Sequence, residues 1–338
     1  MLRVLYNPFN EKYDPPIEIL QGSQLKSHDK PNRINSIITG LQKKDVKWLE
    51  VREGCSMEVL TQVHSPSYLA FLQRISEKLS QKEFIIPDTF PVRCISPNVP
   101  EDIEAQAGYY CFDTFTPFTA MTFNASSLSA ACAIEGAKLL NSHSTIYALC
   151  RPSGHHAQSD LAGGYCFLNN AALAAKILLQ MDFSQIAVLD IDFHHGNGTQ
   201  QIFYDSKDVL TISIHGDPFT NYPYFSGYKD EIGKGFGKGH NINFPLPDKT
   251  SDEKYLEILG KALQRITNFN PDALIVPLGF DTYVKDPIGT FLISESCFSI
   301  IGSKIHQTEI PTLFIQEGGY KINHQGRLVQ SFLTAFLD

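Results

Sequence analysis

Four short runs of the 338-residue chain carry side chains able to grip a cation or move a proton. The first is Ile186–Gly198, IAVLDIDFHHGNG, where Asp190, Asp192 and His194 stand two residues apart. Alternate residues of an extended chain point the same way, so the three can share one face. A carboxylate and a neutral imidazole so spaced can hold one divalent ion, although a lone D-x-H is more often just a strand-end turn. The second run is Ile275–Asp281, IVPLGFD, an apolar strand closing on an acid, with Gly279 permitting close backbone approach. Asp192, His194 and Asp281 together make two carboxylates and one imidazole. Three protein ligands leave a fourth position open, the pattern of a catalytic rather than a structural zinc. Fe(II) and Mn(II) suit the same ligands.

The third run is Arg151–His156, RPSGHH, and the fourth is Phe314–Tyr320, FIQEGGY. Two adjacent histidines after a Pro and Gly turn offer one imidazole poised near neutral pH and a second that can hold charge beside it. Asp190, not needed as a ligand, is free to orient one of them. In the last run two glycines give the backbone freedom to turn the phenol of Tyr320 into a cleft, where its O–H can donate to an oxyanion. The solitary histidines His28, His64, His143, His306 and His324 are read as structural.

Elements must bring these runs together. Apolar, β-branched stretches predict buried strands at Arg3–Tyr6, Thr145–Leu149, Ile186–Ile191, Val209–Ile214, Asn241–Phe244, Leu274–Leu278 and Thr312–Ile315. Helical spacing is clearest at Ser126–Leu140, Asn169–Gln180, Ser251–Ile266 and Ser294–Gln307. Strand alternating with helix points to a parallel sheet covered on both faces, where ligands sit at the carboxyl ends of strands. All four chemical runs follow or close a predicted strand. Residues 83–123 break the rhythm, with five prolines and little periodicity. From Ile95 to Ala137 five acids, Glu101, Asp102, Glu104, Asp113 and Glu135, face no Lys or Arg.

Composition excludes several classes. Hydrophobic residues make up 43% and charged residues 19%, an ordinary globular mixture. No apolar run approaches the roughly 18 residues of a membrane span. Seven cysteines without a CxxC pair suggest neither a disulfide framework nor a Cys-type zinc ribbon, so a reducing, cytoplasmic setting is expected. The net charge of −8 speaks against nucleic acid and suits a cationic partner.

GHH, DxDxHHGNGTQ, GFD and EGGY, in this order and spacing, resemble the zinc-dependent histone deacetylase and acetylpolyamine amidohydrolase superfamily. FPVRCISPNVPEDIEAQAGYYC, CRPSGHHAQSDLAGGYCFLNNAA, SIHGDPFTNYPYFSGY and LGFDTYVKDPI read most like its bacterial acetylpolyamine amidohydrolase branch. The resemblance implies a single 1–338 domain with a three-layer α/β/α arginase/deacetylase-like fold around an eight-stranded parallel sheet. It implies removal of acetyl groups from acetylpolyamines, with a protein-lysine deacetylase on the same core as the alternative. A non-catalytic binding protein of the same fold would typically lack one of the motif residues, and an arginase-type enzyme would need more carboxylates.

By motif match, Asp192, His194 and Asp281 would hold zinc. His155 and His156 would be the tandem histidines, with His156 the base and acid, and Asp190 the partner of the first. Tyr320 would polarise the acetyl carbonyl, and Tyr165 and Tyr222 would wall the substrate channel. Asn197 stands where some members have Asp. A structural potassium ion would be bound by Asp190, Ser213 and backbone carbonyls of Asp192, His194 and Ile214. The 83–123 loop would form a homodimer and carry Glu104 to the channel mouth. A second expected acid falls on Phe115, for which Asp113 is a possible substitute.

Overall fold

The computed structural model describes residues 2–92, 98–141 and 144–337. Cys94 and His143, along with Ile95–Pro97 of the acidic stretch, lie outside the described residues. In chain order the strands are β1 (Leu2–Tyr6), β2 (Ile17–Leu20), β3 (Ser23–Lys26), β4 (Val46–Glu50), β5 (Phe84–Ile85) and β6 (Phe118–Thr119). There follow β7 (Thr145–Leu149), β8 (Ile186–Asp190), β9 (Val209–Gly216), β10 (Asn241–Leu246), β11 (Ala273–Leu278) and β12 (Thr312–Gln316).

Eight of these form one sheet in the order β10-β9-β8-β11-β12-β7-β1-β4, with every pairing parallel. The predicted strands are all present. The eighth, β4, reads VKWLE and escapes an apolar-run search because it is an edge strand with exposed Lys47 and Glu50.

Alternate strand residues feed two cores, one on each face. Ile146 and Ala148 join one cluster with Ala130, Cys132 and Leu173, while Tyr147 and Leu149 join another with Leu259, Phe298 and Leu328. Helices therefore cover both sides, as a buried parallel sheet requires. They begin where small polar residues can cap free N–H groups. The side chains of Asn169, Ser251 and Ser294 accept from the backbone N–H groups of Ala172, Lys254 and Cys297. The helix expected from Ser126 starts earlier and runs over Thr122–Lys138.

The described residues of 83–123 include regular structure. β5 pairs antiparallel with β6 at its two ends. Between them a short helix, Ile103–Tyr109, is capped by Asp102, whose carboxylate accepts from the N–H groups of Glu104 and Ala105 at 2.8 and 2.9 Å.

Chain order explains where the site falls. From β8 the chain moves outward to β9 and β10, then returns to lay β11 on the other side of β8 and continues to β12. The crevice between the carboxyl ends of β8 and β11 is thus a topological switch point, where ligands of open α/β sheets bind.

Candidate active site

β8, β11, β12 and β7 are consecutive in the sheet, so loops as much as 163 residues apart in sequence become neighbours at one edge. β8 delivers Asp192 and His194, and β11 delivers Asp281. Ligand atoms of these three side chains lie within 4.8 Å of one another. His194 Nδ1 is 3.0 Å from Asp281 Oδ2 and 3.3 Å from Asp192 Oδ1. The remaining carboxylate oxygens are fixed by backbone donors. Phe193 N–H donates to Asp281 Oδ1 at 2.9 Å, and Gly318 N–H donates to Asp192 Oδ2 at 2.7 Å.

Glycine is required around this cradle. A Cβ at Gly279 would meet Asp192 Oδ2 at 2.1 Å, and one at Gly318 would stand 2.5 Å from Asp281 Oδ2. Two carboxylates buried this close need a positive charge. Burial and the neighbouring Asp192 push Asp281 up to about 7. Burial opposes the charge of His194, but bonds to Asp192 and Asp281 raise it to about 9. The donor set therefore fits a divalent cation, which would take the place of that proton.

β7 brings the tandem histidines to the same edge. Both are buried, and their rings lie 4.0 Å apart. His155 Nδ1 contacts Asp190 Oδ2 at 2.9 Å; His156 Nδ1 contacts the amide oxygen of Asn197 at 2.7 Å. An amide oxygen only accepts, so His156 carries its proton on Nδ1 and presents the Nε2 lone pair. The pair is driven apart. Burial opposes charge on both, but Asp190 and Asp192 hold His155 up at about 10. Burial, then the charges of His155 and His194, depress His156 well below its ordinary value.

Tyr320 follows β12 and is fixed from several sides. Its N–H donates to Asp286 Oδ2 at 2.7 Å, and the Arg33 guanidinium lies 4.6 Å from its ring centroid. Burial keeps the phenol protonated, hence a donor. Tyr165 lies 5.8 Å from the Tyr320 ring; Tyr222 lies 5.0 Å from His156 and 5.9 Å from His194. The expected channel walls are thus beside the expected chemistry.

Ser213 and Asp190 are register partners on β9 and β8, with Ile214 next along β9. The Ser213 hydroxyl also contacts His215 Nδ1 at 2.8 Å. Glu104 stands apart from this assembly. Its carboxylate pairs with Lys78 at 2.9 Å, and both side chains are about half exposed. Asp113 is no mouth acid. It is buried, with Oδ2 accepting from Tyr222 Oη and Gly164 N–H and Oδ1 from Phe115 N–H and Thr116 Oγ1.

Several supporting residues escape sequence reasoning. Glu317 Oε2 accepts from the N–H groups of Gly154 and His155 at 2.7 and 3.2 Å, tying the β12 loop to the β7 loop. Arg33 and Arg151 flank Asp29 in a buried ionic cluster, and Arg33 also donates to the carbonyls of Glu317 and Gly319. Glu18 accepts from Tyr165 Oη at 2.9 Å and contacts His28 Nδ1 at 2.8 Å, so His28 is not remote from the site. Only Glu317, the first residue of EGGY, carried a usable signal.

Fold and site define an α/β protein with a buried carboxylate–imidazole cation cradle at its switch point and a histidine pair alongside. The chain belongs to the histone deacetylase domain family, whose model matches residues 27–336. It is 38% identical over 336 residues to an acetylpolyamine amidohydrolase of Mycoplana ramosa, covering 98% of each chain. Acetylpolyamine amidohydrolase 2 of Pseudomonas aeruginosa is 38% identical over 323 residues, 94% of each. The crystal structure of an acetylpolyamine aminohydrolase from Burkholderia pseudomallei superposes with a TM-score of 0.93 at 34% identity, covering 99% of this chain and 98% of that one.

Proposed function

We propose that the chain, acting over residues 1–338 as one domain, hydrolyses the acetyl amide of N-acetylated polyamines. The carrying observation is the buried Asp192–His194–Asp281 cradle beside two histidines pushed in opposite directions. Environments that separate two titratable neighbours in this way assign base and acid roles. The substrate class is supported by relatives named acetylpolyamine amidohydrolases that match almost end to end.

In this reading Asp192, His194 and Asp281 hold a divalent ion, zinc by preference, which supplies a lowered water pKa and a polarised acetyl carbonyl. His156 takes the water proton at Nε2, while Asn197 holds the opposite ring edge. Tyr320 donates its O–H to the developing oxyanion. His156 then returns its proton to the departing amine. His155, paired to Asp190, stays charged and contributes electrostatically. Tyr165 and Tyr222 line the path of a flexible alkyl chain.

We assign a structural monovalent cation, potassium by preference, to Asp190, Ser213 and the carbonyls of Asp192, His194 and Ile214. A cytoplasmic homodimer joined through residues 83–123 completes the proposal, with Glu104 as a substrate contact. Exposed Phe90, Val92 and Val99 in that segment support the joining surface.

The test compares turnover of acetylputrescine, acetylspermidine and an acetyl-lysine peptide by the purified, zinc-loaded protein. Preference for the polyamines is expected. Activity confined to the peptide would make it a protein-lysine deacetylase instead.

A further inference from the structure

A second group of side chains of metal-ligating type includes the first histidine of the pair. One ligand atom each from His155, Cys166 and Glu317 falls within 4.8 Å of the others. All three residues are buried, Cys166 and Glu317 at 0% exposure. Each keeps a donor atom uncommitted to a strong hydrogen bond. His155 uses Nδ1 on Asp190, which leaves Nε2. The Cys166 sulfur contacts the Gly164 carbonyl at 3.3 Å and the backbone N–H of His156, and a thiol makes only weak hydrogen bonds.

Glu317 supplies an independent sign that something is missing there. Its Oε2 accepts two backbone N–H groups, but its buried Oε1 has no hydrogen-bond partner. A buried carboxyl oxygen left unpaired is costly and calls for a ligand.

We propose that His155, Cys166 and Glu317 form a second, inhibitory site for thiophilic divalent cations such as Zn2+ and Cd2+. The ligand set sorts the ions. An imidazole, a thiolate and a single carboxylate suit Zn2+ and Cd2+, whereas Mg2+ and Ca2+ demand oxygen shells. Charge balances, since the thiol and the carboxyl release their protons to solvent and together neutralise the ion. His155 Nε2 lies 3.8 Å from Asp192 Oδ1, so the second site adjoins the first. An ion there would capture the imidazole beside His156 and stop turnover. That inhibitory consequence rests on the proposed hydrolytic reading; the binding does not.

The experiment starts from protein loaded with one equivalent of zinc. Cd2+ is added under reducing conditions, with uptake followed by equilibrium dialysis and by the ultraviolet thiolate-to-cadmium charge-transfer band. The wild-type chain should take up a further equivalent with that band, and Mg2+ should neither bind nor compete. Cys166→Ser should abolish the band and weaken the second ion by roughly 10–100-fold, while the first ion remains. Glu317→Gln should weaken it too, and circular dichroism reports whether each variant is folded. A wild-type chain without the second equivalent overturns the site even if no variant folds. A band that survives in folded Cys166→Ser assigns the ion to another thiol, such as partly buried Cys55, and also overturns it. Deacetylation measured before cadmium is added separates the two ideas: a zinc-loaded chain that turns nothing over yet takes up the second equivalent would sink the hydrolytic reading and spare the site, whereas full activity with the second ion bound would overturn its inhibitory role.

Discussion

The Tyr222 hydroxyl donates to Asp113 Oδ2 at 2.7 Å, and the same oxygen accepts the N–H of Gly164 at 2.6 Å. One buried carboxylate thus joins the segments that carry Tyr222 and Tyr165, because Gly164 precedes Tyr165. Glu18 does the same from the other side, accepting from Tyr165 Oη at 2.9 Å. The two tyrosines proposed as channel walls are thus each held by a buried acid.

Asp113→Ala should loosen that clamp, since it removes the oxygen that accepts from both Tyr222 and Gly164. Hydrogen bonds to a charged group are worth about 1.5–3 kcal/mol each, so urea denaturation should report a loss of that order. Under the proposed role, in which the two tyrosines hold substrate and do not react, KM should rise more than kcat falls. A kcat-only defect would place Asp113 in the chemistry instead.

A pH effect follows from Asp29. Burial opposes its charge, yet Arg151 and Arg33 outweigh burial and lower its pKa. A lowered carboxylate stabilises the fold above its unfolded value of about 3.9 and loses that contribution as pH falls through the folded value. Asp29→Asn should cost about 3–5 kcal/mol at neutral pH, because it strands two buried guanidinium groups. Its stability should also change less than wild type's below about pH 4. Equal acid limbs in the two thermal-denaturation series would show that Asp29 does not titrate with folding.

Much of this was legible beforehand. IAVLD and ALIVPL are buried on both faces, so they read as unbroken apolar runs, and the acids at their ends stand out. The clamps were not legible. Glu18 sits in a short hairpin with exposed neighbours, and it meets Tyr165 across 147 positions through tertiary packing alone. Asp29 and Arg151 are 122 positions apart, and no local pattern announces their pairing. The helix at Pro66–Lys78 could have been found from Ser65, which accepts from Tyr68 N–H, followed by Pro at the first helical position.

Asp281→Ala removes one of two charged groups from the cation cradle. Elemental analysis should find the divalent ion largely lost and turnover largely abolished. Full occupancy in that variant would move the ion elsewhere.

Tyr320→Phe deletes one hydroxyl and leaves the ring against Arg33. Loss of an oxyanion donor typically costs about 10²–10³ in kcat. Metal content and melting temperature should survive. An unaltered kcat would mean that the phenol takes no part in the chemistry.

In the proposed reading Glu104 helps receive the polyamine tail. An acetylpolyamine keeps at least one ammonium several bonds from the scissile amide, so that charge must lie toward the mouth when the amide reaches the cradle. In this structure the Glu104 carboxylate is engaged by Lys78 at 2.9 Å, an exposed pair of the kind worth about 0.2–1 kcal/mol. Such a pair opens readily, and a substrate ammonium can replace the lysine. Glu104→Ala should therefore raise KM for acetylputrescine roughly two- to fivefold, the size of one exposed ion pair, and spare a neutral acetylated amine. Lys78→Ala should act in the opposite direction, lowering KM by freeing the carboxylate. Both effects should shrink as salt is raised toward 1 M, where screening acts over only about 3 Å. Equal KM changes on charged and neutral substrates would make Glu104 a structural residue, and a Lys78→Ala variant indistinguishable from wild type would remove it from the path of the substrate.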